Sequence, residues 1–217
     1  MVHPITKIQT VFKEKFGIPR QSLLIKEAMG VMEFPKNDFF MEAFRSIENY
    51  SHLWLVFEFH EAKSEGVKAL VRPPRFFGQE KIGVFASRSP HRPNHLGLSV
   101  VKFESLEILP DKVLLKVSGV DILDGTPILD IKPYLPYSDS IEAIAKNIEK
   151  PVLKEVVWSS GIHVDKELKT IIEKVIALDP RPSFDRDKEF GVSVANYNIR
   201  FIFKDECFHI LECKEIL

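Results

Sequence analysis

Cysteine is scarce in this chain: Cys207 and Cys213 are the only two among 217 residues. They are too few for a zinc framework and read as reduced thiols on a C-terminal strand. Long apolar runs are missing as well. No stretch approaches the roughly 20 residues needed to span a bilayer, and the start, Met1-Val2-His3-Pro4, has no charged segment leading into an apolar one. The expectation is a cytoplasmic protein that does not enter the membrane. Charge of one sign is also absent, since 30 Lys and Arg stand against 31 Asp and Glu for a net −1. That excludes a globally basic nucleic-acid binder while leaving room for a local basic face. Glycines occur singly and no Gly-x-Gly-x-x-Gly follows a strand, so a nucleotide-like cofactor needs a cradle other than a doubly wound parallel sheet.

What is present describes an ordinary globular protein with a sizeable core, 28% charged and 45% hydrophobic. The length suits one full domain and a small addition, and the composition changes near residue 138, which predicts domains over 1–138 and 139–217. The first part is strand-like. Residues 53–59 are dense in β-formers and 82–85 follow a Pro/Gly-rich loop. Residues 98–109 and 113–120 flank Pro110-Asp111-Lys112 as a hairpin. Pro133 and Pro136 are read as forbidding a helix and disfavouring a central strand. Later, Asp139 and Glu142 resemble a capping box for a helix ending at Pro151. A second helix is predicted from Asp165, with Leu168, Ile171, Ile172, Val175 and Leu178 on one stripe. Residues 192–203 and 207–216 form a closing hairpin. Strands joined by turns predict a mainly antiparallel sheet, and closure into a β-barrel removes its edges. Trp54, Phe57 and Phe59 are expected to share one face of their strand as core.

Residues 66–102 carry seven basic side chains against Glu80 alone, a local +6 that leaves −7 for the rest. Such polarisation is the footprint of an anion-binding face or of locally paired loop charges. Prolines in Arg72-Pro73-Pro74-Arg75 and Arg88-Ser89-Pro90-His91-Arg92-Pro93 stiffen the arginine loops, so less entropy is lost on contacting phosphate or carboxylate. Pro93 between His91 and His95 spoils the helical spacing of a zinc pair, so no metal is expected. In Asp121-Ile122-Leu123-Asp124-Gly125-Thr126-Pro127, carboxylates and turn backbone are suited to grip ribose, adenine or an amino group; a plain turn is the alternative. Asp130-Ile131-Lys132-Pro133-Tyr134 sets an acid, a cation and an aromatic together, a combination that suits a nucleobase substrate.

At these residues the chain resembles the TsaA-like tRNA adenine N-6 methyltransferases, which methylate threonylcarbamoyladenosine beside the anticodon of a threonine tRNA. The resemblance rests on Lys13-Glu14-Lys15-Phe16-Gly17-Ile18-Pro19-Arg20-Gln21, Ser51-His52-Leu53-Trp54, residues 57–60, 71–75 and 83–89, Arg92-Pro93-Asn94, residues 124–136 and Asp179-Pro180-Arg181-Pro182. It implies a mainly β fold: a non-Rossmann β-barrel that binds S-adenosyl-L-methionine, a small α+β C-terminal domain, a tRNA partner and a homodimer. By similarity the cofactor contacts fall on Pro19, Arg20, Gln21, His60, Glu61, Arg88, Leu98, Asp124, Gly125, Thr126 and Pro127. The family usually carries Pro-Ile-Gly where His95-Leu96-Gly97 stands here, and often glutamine at Glu61.

Methyl transfer from a sulfonium is an in-line displacement dominated by positioning, and the acceptor nitrogen is a poor nucleophile until its proton leaves. Asp130 is therefore the candidate base, with Lys132 and Tyr134 orienting it or the substrate; an Asp130–Lys132 structural pair is the competing reading. Arg75, Arg92 and Arg181 are candidates for the threonyl carboxylate or tRNA phosphate, with Asn94 beside them. A non-catalytic RNA-binding barrel is the alternative function. A hydrolase is disfavoured by the lack of a Gly-x-Ser-x-Gly elbow or phosphate loop.

Overall fold

The computed structural model describes residues 2–72, 80–143, 151–182 and 188–216. Its first part is built from β1 (Thr6–Thr10), β2 (Met29–Pro35), a short helix α1 (Asp38–Ala43), β3 (His52–Glu58), the two-residue β4 (Leu70–Val71) and β5 (Ile82–Gly83), β6 (Leu96–Ile108), β7 (Lys112–Ser118) and β8 (Thr126–Pro133). Six of these strands close into a barrel in the order β1-β2-β7-β6-β3-β8, every pair antiparallel. Burial alternates with a period of two along the strands. Leu53, Leu55 and Phe57 of β3 and Val113, Leu115 and Val117 of β7 point inward with Ile8, Met32, Phe34, Val101 and Ile128, all buried. The β6–β7 hairpin turns at Pro110-Asp111, where Leu109 N–H donates to Lys112 O at 2.8 Å.

A four-residue helix α2 (Pro136–Asp139), then β9 (Val156–Trp158), helix α3 (Lys166–Ala177), β10 (Phe190–Val194), β11 (Tyr197–Lys204) and β12 (Cys207–Glu215) complete the chain. These strands form a second sheet, β10-β11-β12-β9, in which β9 runs parallel to β12. The predicted helix from Asp165 is present: its carboxylate caps the N–H groups of Glu167 and Leu168, and Ile171, Ile172, Val175 and Ile176 are buried with Phe201, Phe208 and Ile210 of the sheet.

Several local expectations are corrected. Pro133 ends β8 opposite Leu53, where a missing N–H costs little, and Pro136 opens α2, a position that suits proline because the first helical N–H has no partner anyway. Asp139 does not start a helix; it closes α2, and its Oδ2 accepts from Leu135 N–H at 2.8 Å and Trp54 Nε1–H at 2.9 Å. Residues 140–143 are not helical, and the remainder of that predicted helix, 144–150, lies outside the described residues. The strand expected over 192–203 is two strands, β10 and β11, because Ala195 turns at φ 53°. Trp54 is on the opposite face of β3 from Phe57, as even and odd positions must be. Cys207 and Cys213 are free thiols on β12, as expected.

The two parts meet along the segment after β1. Ala195 N–H donates to Val11 O and Ser193 N–H to Glu14 Oε1, both at 2.6 Å, and Phe16 stacks on Phe190 with centroids 6.2 Å apart. Gly17, at φ 91°, lies under Val192: a Cβ there would stand 2.3 Å from Val192 Cγ2. Lys174 of α3 pairs with Glu27 at 2.5 Å.

Candidate active site

A cleft of about 510 Å³ opens at the barrel rim, within the range of small-molecule sites. Four stretches wall it: the segment after β1 (Lys15, Ile18, Pro19, Arg20, Gln21), the end of β3 with the 3-10 turn His60–Glu65, the loop before β6, and the Asp121-Ile122-Leu123 connection after β7. Phe57, Leu98 and Ile122 supply apolar surface, and Ser99 and Thr126 supply hydroxyls.

The loop before β6 is stiff for reasons visible in its bonds. Arg92 Nη1 donates to Ser87 O at 3.1 Å and Ser89 O at 3.4 Å, Ser87 Oγ donates to Val84 O at 2.9 Å, and His95 Nδ1 donates to Pro90 O at 3.0 Å. His95 sits at φ 49°, which the proline usual in the resembling family cannot adopt. Gly97 begins the descent into β6 opposite Phe57, and a Cβ there would stand 2.3 Å from two carbons of that ring.

Of the expected cofactor residues, Pro19, Arg20, Gln21, His60, Glu61, Arg88, Leu98 and Thr126 line this one cleft, and Arg88 Nη1 donates directly to Gln21 Oε1. Asp124, Gly125 and Pro127 do not line it. Asp124 accepts from Thr10 N–H and pairs with Lys13 Nζ, each at 2.8 Å, Gly125 N–H donates to Ile8 O, and Pro127 pairs with Lys7 across β8 and β1. They fasten the turn that carries Thr126.

The expected catalytic trio lies next to the cleft rather than in its wall. Asp130 and Lys132 sit on β8 opposite Val56 and Trp54, on the outward face of β3, and Lys132 Nζ is 2.9 Å from Asp130 Oδ2. Asp130 Oδ1 accepts from Ile131 N–H. Val56 pairs in turn with Leu98, so Asp130 stands two strands, roughly 10 Å, from a cleft residue. Tyr134 packs near Trp54, with ring centroids 5.9 Å apart, and Trp54 lines the cleft.

The arginines separate. Arg92 is on the cleft wall, bracing its own loop, with Asn94 beside it in a shallower depression shared with Phe85 and Leu96. Arg75 lies outside the described residues. Arg181 is 5% exposed, bridges to Asp179 at 2.8 Å and stacks over Phe203 and Phe208 at 4.3 and 4.9 Å, which is a core role inside the C-terminal sheet and not a surface one. Sequence reasoning did not single out Ser99, and it weighed His91 only as half of a zinc pair with His95, not as a wall of this cleft. His91 Nδ1 is the one buried side-chain polar atom without a hydrogen-bond partner among the described residues.

Two acids of the cleft are perturbed. A hydrogen bond from Lys15 holds the Glu65 carboxyl below its usual range. Burial pushes Asp121 up to about 6, against the opposing pull of Ser99 Oγ–H, which donates at 2.6 Å, and of the Arg88 charge. Among the described residues no group of three or more His, Cys, Asp or Glu is arranged to hold a metal, and no helix is long and apolar enough to cross a membrane.

A closed antiparallel barrel with a small-molecule cleft at its rim defines a ligand-binding class distinct from the parallel nucleotide-binding sheets. The pattern of the tRNA-methyltransferase O N-terminal domain matches residues 7–140, and that of the TrmO C-terminal domain matches 153–216. The chain belongs to the tRNA-methyltransferase O family. It is 37% identical to the tRNA (adenine(37)-N6)-methyltransferase of Escherichia coli strain K12, covering 94% of this chain and 93% of that one. It is 38% identical to a Pseudomonas aeruginosa protein with the provisional name S-adenosylmethionine-dependent methyltransferase RcsF, over 92% and 91%. A crystal structure of TrmO from P. aeruginosa superimposes with a TM-score of 0.78 at 33% identity, over 99% of this chain and 96% of that one.

Proposed function

We propose that this protein is a cytoplasmic tRNA methyltransferase that moves a methyl group from S-adenosyl-L-methionine to the exocyclic N6 of the adenine beside the anticodon. We propose further that this adenine carries a threonylcarbamoyl group and that the tRNA is a threonine acceptor. The observation that carries the reading is the convergence of Pro19, Arg20, Gln21, His60, Glu61, Arg88, Leu98 and Thr126 on one cleft of suitable volume. The donor set fits the ligand: Phe57, Leu98 and Ile122 offer apolar surface to a purine, and the arginines a partner for its carboxylate.

When bound, the donor supplies a methyl carbon on a positively charged sulfur. The chain's own residues must then hold the acceptor nitrogen in line behind that carbon and remove its proton. Asp130 Oδ2 is the proposed proton acceptor, with Lys132 Nζ 2.9 Å away orienting it. Tyr134 and Trp54 form an aromatic shelf beside it, suited to an unstacked base. Arg92 and Asn94 are the proposed contacts to the substrate's carboxylate or phosphates; the buried Arg181 is not. The division into domains over 1–138 and 139–217, and assembly as a homodimer, belong to the same proposal.

The test is to incubate the protein with S-adenosyl-L-methionine and threonine tRNA with and without the threonylcarbamoyl group, and to digest and weigh the nucleosides. Methylation of the modified adenosine alone is expected, and Asp130→Asn is expected to lower turnover while leaving donor affinity intact. Equal methylation of both tRNAs refutes the substrate assignment. Retention of tRNA with no donor binding refutes the enzyme in favour of an RNA-binding barrel.

A further inference from the structure

We propose that Asp121 is the cation subsite of the cleft, the carboxylate that faces the positively charged sulfonium and ammonium end of the methyl donor. This rests on the donor assignment above and adds to it a residue from outside the expected contact set. Three acids line the cleft, and two are already matched. Lys15 Nζ lies 2.9 Å from Glu65 and 3.6 Å from Glu61, and Glu65 also faces Lys68 at 3.6 Å and His91 at 3.5 Å.

Asp121 is placed differently. Its hydrogen-bond donor is neutral, the Ser99 hydroxyl from β6 at 2.6 Å, and the nearby backbone of Asp121 itself and of Ser22 is neutral too. Arg88 acts on it only through space, its Nη1 being turned to Gln21. Among the described residues no cation forms an ion pair with it. A half-buried carboxylate facing a cleft with neutral partners is costly to keep ionised, and its raised proton affinity expresses that cost.

A ligand that brings positive charge removes the cost. The donor carries two positive groups and one negative. Lys15, Arg20, Arg88 and Arg92 on the other walls attract its carboxylate and repel its cations, which leaves Asp121 as the counter-charge that this chain has not already paired.

Calorimetry with S-adenosyl-L-methionine at pH 5 and pH 7.5 tests the inference. Only ionised Asp121 serves a cation, and one unit below its pKa about a tenth of it is ionised, so affinity is expected to fall about tenfold from pH 7.5 to pH 5. Asp121→Asn keeps an acceptor for Ser99. It is expected to bind the donor about tenfold more weakly at pH 7.5 and to lose most of the pH dependence; Glu61, Glu65, His60 and His91, the other acids and histidines lining the cleft, are unchanged in this variant. Ser99→Ala removes a donor that favours the charged form, so the pH at which affinity is lost moves up.

S-adenosylhomocysteine, which keeps the ammonium and lacks the sulfonium, divides the charge: a loss confined to the methyl donor puts the sulfonium at Asp121, and an equal loss for both ligands puts the ammonium there. Both outcomes uphold the subsite. Wild-type affinity and pH profile in a folded Asp121→Asn protein overturn it, whereas a wild-type protein with no isotherm overturns the donor assignment itself.

Discussion

Replacing Gly97 by alanine probes how the cleft wall is held. The added Cβ would stand 2.3 Å from both Cε2 and Cζ of Phe57 and 2.9 Å from Cδ2, well inside van der Waals contact. Phe57 has little room to retreat. It is 4% exposed, pairs in register with Gly97 across β3 and β6, and meets Phe59 edge-on at 5.1 Å between centroids. Overpacking of this kind costs about 1–3 kcal/mol, which for a chain of this length corresponds to a fall in melting temperature of roughly 2–12 °C. Because Phe57 also lines the cleft, donor affinity is expected to drop several-fold along with stability. Thermal melts and calorimetry on wild type, Gly97→Ala, Phe57→Leu and the double variant complete the cycle. The branched, shorter leucine side chain relieves the clash, so the double variant is expected to be more stable than the sum of the singles predicts, by about 1 kcal/mol or more. A Gly97→Ala protein that melts with wild type, or a cycle that closes additively, refutes the contact.

Gly17→Ala combines a left-handed φ of 91° with a Cβ 2.3 Å from Val192 Cγ2, and is expected to cost about 2–4 kcal/mol in urea melts; adding Val192→Ala returns the steric part and leaves the backbone strain. Arg181→Met removes the bridge to the buried Asp179 carboxylate and is expected to cost about 3–5 kcal/mol. Adding Asp179→Asn, which tolerates the φ of 55° there, is expected to recover part of that. A stable Arg181→Met protein with weakened tRNA binding would return this arginine to the substrate.

The strands were legible from their density of β-formers and from the turn residues that bound them, as in residues 53–59 and around Pro110-Asp111-Lys112; the alternate burial along 53–57 and 113–117 emerges only in the fold, because Trp54, Val56 and Leu114 are apolar too. The Asp165 cap and the apolar stripe of α3 were legible from helical spacing. The errors fell where one residue type serves two backbones. Proline suits both the end of β8 and the first turn of α2, and an aspartate two residues from Tyr137 can cap backward as readily as forward. Ala195 turned against its own preference because the ladder on both sides demands it.

At the site, residues brought in by loops were visible as motifs, yet motif membership did not separate those that face the cleft from those that fasten its turns. Asp121 and Asp124 stand three apart on one connection; only the fold shows that Asp124 is engaged by Thr10 and Lys13 while Asp121 faces the cleft. Arg181 likewise resembled a surface cation in a Pro-rich turn, and its burial depends on Phe203 and Phe208, more than twenty residues away.

The segment from Val11 to Gln21 is a strip that serves two neighbours. Its inner edge is cleft wall, and its outer edge is the seat on which Val192, Ser193 and Phe190 rest. An occupant that contacts residues 15–21 is therefore expected to steady the seat as well, and undocking of the C-terminal sheet to loosen the pocket on the far side, the two being coupled through a strip about ten residues long.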